Sequence, residues 1–394
     1  MSTPEPTGGA HLPRIRAVQR GDTTKVRFLE LFFDLVFVLA FTQCTALMVE
    51  HPTWEGIVQG LFVLAVLWWS WGAYAWLTSV IDPEEGAVRI VMFGAMAGVL
   101  IVALAVPGTF GDLGLTFAIA YGVVRYSQLA LFVLASQEDA DLRYSVITLA
   151  VSSTVGIGLL AGASFLDGGP RLAVWALAIL IDFGGPAIFG VEGWKLVPAH
   201  FAERHGLIII LALGESIVVL GVGAQIGLTA GVIVAAILGV ALASALWWAY
   251  FDVVAIVTEQ RITRATPGRE QNSLARDSYS YLHLPMVAGI VLVAVGLENT
   301  LAHVDEALHT VPAFALLGGV ALYLLSHVAL RLRTGRTLNV HRLVIAAALV
   351  ALVPVATQLP ALATLAGVNL VIWALITYET ISYGEGRTRL RRDH

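Results

Sequence analysis

Apolar runs of membrane-spanning length recur along the whole chain, separated by short polar turns. About 20 residues of helix cross the hydrocarbon core of a bilayer. Twelve such runs are read, at roughly 28–48, 56–79, 88–107, 113–135, 144–163, 171–190, 203–223, 229–257, 281–301, 311–332, 341–358 and 361–383. The eighth is overlong and is expected to continue past the membrane. No gap has room for a soluble domain. The longest, 258–280, is expected to hold at most a short polar helix. The pattern predicts an all-α polytopic membrane protein of about twelve transmembrane helices.

Composition agrees with that pattern. Of 394 residues 58% are hydrophobic and 13% charged, against about 25% charged in ordinary soluble domains. Mean hydropathy is +0.81. The single cysteine, Cys44, excludes an intrachain disulfide and a cysteine-rich metal or redox centre. No cleavable signal peptide is expected, because the first apolar run is too long for a signal core. Charge distribution sets the topology. With the N-terminus in the cytoplasm, all of the 23 Lys and Arg fall in cytoplasmic loops and tails except Arg171, outside, and Arg125, within a span. Both termini are therefore expected inside. The basic loops are explained by topology, and no nucleic-acid surface is expected.

Two halves resemble each other. Trp68-Trp69 recurs as Trp247-Trp248, FFDLVFVLA (32–40) as LGESIVVLG (213–221), and MAGVLIVALAV (96–106) as VAGIVLVAVGL (287–297). The offsets are 179, 181 and 191 residues, drifting as loop insertions would require. The domain reading is a basic tail (1–26), a first six-helix repeat (27–195), a second in the same orientation (196–385) and a basic tail (386–394). Parallel repeats are one transporter plan.

The chemistry lies in ionisable residues inside apolar spans, which are expensive there and usually kept for function. Glu30 and Asp34 share one face of the first span, one turn apart. Two carboxylates that close compete for one proton; Glu30 could equally belong to cytoplasmic-side pairs with Arg27 or Arg204. The repeat aligns Asp34 with Glu215 of the seventh span. Arg125, near the middle of the fourth span, cannot shed its proton and needs a partner, for which Asp34, Asp182 and Glu215 are candidates. Gly184-Gly185-Pro186 after Asp182 marks either a broken span or a plain kink. These five, Glu30, Asp34, Arg125, Asp182 and Glu215, form the expected ion, proton or substrate site. Supporting polar positions are Gln43, Glu203, Arg204, His205, Ser216, Asp252, His283 and Glu298. Arg204 and His205 are expected to pair with Glu203 or to meet lipid headgroups. No catalytic residue is assigned. No metal site is expected, since no close histidine pair or H-E-x-x-H is present. No motif identifies a cofactor.

Three stretches carry a resemblance: ELFFDLVFVLAFTQ (30–43), HFAERHGLIIILALGESIVVLG (200–221) and YSYLHLPMVAGIVLVAVGLE (279–298). They look like the signature stretches of the bacterial low-temperature-requirement A (LtrA) family. The resemblance covers about residues 20–385 and implies a bacterial, multispanning plasma-membrane protein. It implies no particular chemistry. The family's marked positions fall on Glu30, Asp34, Gln43, Glu203, Arg204, Gly206, Glu215, His283, Pro285 and Glu298. FFDLVF (32–37) is also similar, more weakly, to the first-span Phe-Ser-Asp stretch of two-repeat lysosomal potassium channels, with Phe33 in place of the serine.

The leading functional expectation is a cation- or proton-coupled secondary transporter. The alternatives are a cation channel built from two six-span repeats, and a cofactor-binding or structural membrane protein. Expected partners are the lipid bilayer, a small ion or small-molecule substrate, and, for a channel, a second copy of the chain.

Overall fold

In lipid a backbone must satisfy its own polar groups, and a helix does so within one segment. The computed structural model describes residues 25–137, 139–190, 193–223 and 227–382. Most of them are helical. The first half holds α1 (Phe28–Glu50), α2 (Trp54–Thr78), α3 (Gly86–Ala105), α4 (Gly114–Ala135), α5 (Ala140–Ala163) and α6 (Gly168–Phe189). The second holds α7 (Pro198–Gly223), α8 (Ala230–Phe251), α9 (Val254–Thr263), α10 (Arg269–Ala275), α11 (His283–Ala302), α12 (Thr310–Gly335), α13 (Val340–Ala351), α14 (Val353–Ala356) and α15 (Ala361–Ser382). Side-chain caps start several of them: Thr53 accepts from Gly56 N–H, Asp139 from Leu142, Thr229 from Val232 and Asn339 from Arg342. Extended pairing among the described residues is one isolated bridge, Ala307 to Pro360. Of the expected tails, only Lys25 and Val26 fall within the described residues.

Eleven helices among the described residues are long and apolar enough to cross a membrane, one fewer than the hydropathy pattern predicts. The difference is the run at 341–358. Pro354 has no N–H to give, and the helix breaks between α13 and α14 just ahead of it. The chain nevertheless traverses the bundle here. Arg342, at the start of α13, pairs with Glu379 near the end of α15, while Ala361 N–H bonds back to Glu306 beside the start of α12. The overlong eighth run also divides. α8 stops at Phe251 and α9 begins at Val254. From Arg269 the chain is nearly continuous into α11, through a π-helical turn at Arg276–Tyr281.

α6 remains one helix through Gly184-Gly185-Pro186, so the broken span is not found. Pro186 cannot donate to the carbonyl of Asp182, and carbonyls beside it take side-chain donors. Phe183 O accepts the Tyr281 hydroxyl at 2.7 Å and Pro186 O accepts Arg276 Nη1 at 2.8 Å.

Helix neighbours follow one plan in each half. α1 packs on α2 and α3, α3 on α4, α4 on α5, α5 on α6 and α6 on α2. α7 packs on α8 and α11, α11 on α12, α12 on α13, α13 on α15 and α15 on α8. α1 also lies against α7 and α11, joining the halves. The closest approach is α11 on α12. A Cβ on Gly289 would stand 2.6 Å from Gly319 O, and one on Gly319 would stand 2.7 Å from Gly289 O. Small residues permit such backbone contact in membranes. Ile90, Leu180, Ile188, Leu370 and Ile381 are exposed on the outside, as lipid-facing positions of a polytopic membrane protein should be.

Candidate functional site

Glu30 is the third residue of α1, and its Oε2 accepts from the Arg27 backbone N–H at 2.9 Å, closing the helix start. Asp34 lies one turn deeper on the same face. Opposite them stands α7, whose His200 and Arg204 share a face in the same way. His200 Nε2 is 2.9 Å from Glu30 Oε2. Arg204 Nη1 donates to Glu30 Oε1 at 3.4 Å and to Thr78 Oγ1, the end of α2, at 3.0 Å. Its Nη2 donates to Asp34 Oδ1 at 2.5 Å. Trp71 Nε1 donates to the same Asp34 oxygen at 2.8 Å, and its ring lies 5.6 Å from the guanidinium carbon. Glu30, Asp34 and Arg204 are 0% exposed. Three helices from both halves therefore enclose two carboxylates, one guanidinium and one imidazole. Asp34 Oδ2 and Arg204 Nε have no hydrogen-bond partner among the described residues.

This placement turns Arg204 and His205 away from Glu203 and from headgroups, and for Arg204 it selects the alternative of pairing with Glu30. Glu203 is exposed and, among the described residues, accepts the Val26 N–H at 3.1 Å. One residue on, the helix turns Arg204 inward, away from headgroups. His205 is 0% exposed as well. Its Nδ1–H donates to Phe201 O at 2.8 Å, and its ring meets Trp71 edge-on at 4.8 Å and stands 5.5 Å from His283. In His283, Nδ1–H donates to Ser278 O and Nε2 accepts the Tyr250 hydroxyl, both at 2.8 Å.

α1 and α7 run parallel, and their contacts fix the register: Glu30 with His200, Asp34 with Arg204, Thr42 with Glu215. The residue level with Asp34 is thus Arg204. Glu215 lies eleven residues farther along α7, about 16 Å at 1.5 Å per residue. It accepts from Thr42 Oγ1 at 2.6 Å, and its Oε1 has no hydrogen-bond partner among the described residues. The aligned sequence strings do not put the two acids at one depth, because apolar helices match one another over several registers.

Arg125 finds Asp182, at 3.5 Å, and neither Asp34 nor Glu215. Ser153 stands between them, accepting from Arg125 Nη2 at 2.6 Å and donating to Asp182 Oδ1 at 2.7 Å. Tyr121 donates to Asp182 Oδ2 at 2.8 Å, and Arg125 Nη1 reaches Gln128 Oε1 at 3.4 Å. This second centre belongs wholly to α4, α5 and α6. The five expected site residues thus divide among three places.

Of the supporting positions, Asp252 lines a cavity of about 420 Å³. Arg342 borders the same cavity, donating twice to Glu379 at 2.8 and 2.9 Å and meeting His327 Nδ1 at 2.6 Å. Ser216 is buried without a hydrogen-bond partner among the described residues. Gln43 and Glu298 are half-buried and join neither centre. Sequence reasoning left His200, Thr78, Ser153, Tyr121 and Glu379 unassigned. His200 carried a readable signal, standing four residues before Arg204 and so on the same helix face.

Comparisons agree with this architecture. Residues 25–377 match the model of the bacterial low temperature requirement A protein (LtrA). The uncharacterized protein RA0937 of Rhizobium meliloti (strain 1021) is 30% identical over 385 residues, covering 92% of this chain and 91% of that one. No solved structure matches the chain. With its signature acids in α1 and its HFAERH and LGES strings in α7, the chain belongs to the LtrA family.

Proposed function

We propose that this protein is a proton-coupled secondary transporter and that Glu30, Asp34, Arg204 and His200 form its proton site. The observation that carries the reading is the charge count of a closed cluster. With His200 neutral, two carboxylates face one guanidinium, and all three are fully buried. A net charge in low dielectric is costly, so the cluster has room for one proton, on His200 or on a carboxylate. The unpartnered Asp34 Oδ2 is one place to carry it. Taking up or losing that proton alters how tightly α7 holds α1, and therefore how the two halves meet.

The shared neighbour plan supports two equivalent six-helix units. So does the recurrence of a buried arginine–carboxylate pair among the fourth, fifth and sixth crossings of each half, Arg125–Asp182 and Arg342–Glu379. Likewise the Tyr74 hydroxyl crosses from α2 to Val124 O in α4, and the Tyr323 hydroxyl crosses from α12 to Leu246 O in α8. Parallel units suit alternating access. The segregation of Lys and Arg supports both termini, and this cluster, lying on the cytoplasmic side of a bacterial plasma membrane.

The test is proton movement in proteoliposomes loaded with a pH-sensitive dye, driven by imposed proton, sodium or potassium gradients. Wild type should move protons, and Asp34→Asn and Glu30→Gln should lose that movement while remaining folded. Undiminished flux in folded Asp34→Asn, or no wild-type flux under any gradient, would sink the proposal. Sustained single-channel conductance in planar bilayers would replace it with a cation channel.

A further inference from the structure

A second internal space lies on the other side of α2. This cavity, of about 40 Å³, is bordered by Trp69 and Trp76 of α2, Arg125 of α4, Trp194, Arg276 and Ser280. It has room for two or three waters or one small ion. Three N–H groups of its lining residues are buried and have no hydrogen-bond partner among the described residues: Arg125 Nε, Trp69 Nε1 and Trp194 Nε1. All three only donate.

Each acceptor named on its lining already takes one N–H. Pro186 O takes Arg276 Nη1 at 2.8 Å, Ser280 O takes Trp68 Nε1 at 2.7 Å, and Ser280 Oγ takes Trp76 Nε1 at 3.0 Å. The Ser280 hydroxyl hydrogen is then a fourth donor. Charge leans the same way. Arg276 shares the Asp277 carboxylate with Arg333, at 2.7 and 2.9 Å, so two guanidiniums meet one carboxylate. Arg125 is balanced by Asp182 alone.

Donors without acceptors call for a guest that accepts and does not donate. Water accepts too, but its own hydrogens would have only the second lone pairs of oxygens that already take an N–H. An anion has no such hydrogens, and charge-assisted bonds are the stronger kind. We propose that this cavity binds one small monovalent anion of halide size. The site is separate from the Glu30–Asp34–Arg204–His200 cluster and stands whether or not that cluster carries protons.

The experiment uses the full chain purified in detergent in gluconate buffer, with gluconate replaced stepwise by chloride, bromide or sulfate at constant ionic strength. The midpoint of thermal unfolding should rise saturably with chloride and bromide, as for any ligand that binds only the folded state, and should not rise with sulfate. Trp69→Phe keeps the ring stack on Phe183, centroids 4.1 Å apart, and removes the N–H. Trp194→Phe keeps a ring edge-on to Phe132, centroids 4.9 Å apart, and likewise removes the N–H. Each should raise the half-saturating chloride concentration about tenfold, the loss of one good hydrogen bond. Crystals grown in bromide should show an anomalous peak inside the cavity. A wild-type response to chloride no greater than to gluconate overturns the proposal, as does an unaltered response in both Phe variants. Should those variants fail to fold, the bromide map decides alone: a peak in the cavity supports the site, and water density without one refutes it.

Discussion

Two fully buried arginines organise the interior, and they are satisfied in opposite ways. Arg125 sits about midway along α4, and its one carboxylate, Asp182, is held in turn by hydroxyls from Tyr121 and Ser153. The centre is electrically even and made within the first half. Arg204 lies near the start of α7 and faces two carboxylates contributed from the other half. That centre is uneven by one charge unless a proton joins it, and it ties the halves together. A buried pair that is merely complete holds helices in place. One that is overcharged and spans a boundary has a second state available to it. The same residue type therefore reads as structure in one place and as a candidate working part in the other.

The sharpest break of this comparison is Asp182→Asn. It strands Arg125 in an apolar surround, and removing one partner of a buried pair costs roughly 3–5 kcal/mol. Folded, monodisperse yield in detergent should collapse; near-wild-type yield would show that Arg125 has other support. Thr42→Val comes next. It takes from Glu215 its one hydroxyl donor among the described residues, a loss of roughly 1–3 kcal/mol for a buried acceptor left without a partner, visible as a lower unfolding midpoint. Asp34→Asn should cost only about 1–2 kcal/mol, because Arg204 keeps Glu30 and Thr78. If Asp34→Asn destabilises as much as Asp182→Asn, the two arginine centres are the same kind of thing and the contrast fails.

The smallest effect calibrates the others. Lys195 meets Asp139 at 3.4 Å on the surface. The Asp139 carboxyl is held below its ordinary value first by the Leu142 N–H, then by Lys195, with partial burial opposing both. Stability from a depressed carboxyl is present above the ordinary value, about 4, and is lost as pH falls through the lower folded value. Lys195→Ala should therefore cost under about 1 kcal/mol at neutral pH. Its difference from wild type should shrink in unfolding curves taken below pH of about 4.

The membrane class and most helices were legible from apolar run length alone, because lipid leaves the backbone so few options. Glu30 and Asp34 were legible too, as acids in an apolar run stand out wherever they point. Their cation was legible only as one option among several: Arg204 reads locally as a partner for Glu203 beside it or, like Arg27, for Glu30, and the rotation of α7 turns it onto Glu30 and Asp34. Arg342 reads as a cytoplasmic loop residue for the same reason, though it sits at 6% exposure on α13, against Glu379 of α15. Tyr121 and Ser153 carry no charge to mark them in sequence. Depth was the other loss. Strings such as FFDLVFVLA and LGESIVVLG match in composition, and composition does not reveal how far along a helix an acid sits.

The interrupted passage between α12 and α15 has a consequence for the surrounding lipid. From Val340 to Ala356 it spans 17 residues, about 25 Å of helix, against a hydrocarbon slab of about 30 Å. Val344, Val350 and Val355 point outward along it. A short crossing is met by local thinning of the bilayer or by flanking residues reaching out, at a fraction of a kcal/mol per Å of mismatch. Acyl chains straighten as a membrane cools, and the slab grows thicker. That edge of the protein is then under more strain in a stiff, cold bilayer than in a fluid one, and short or unsaturated chains should gather around it.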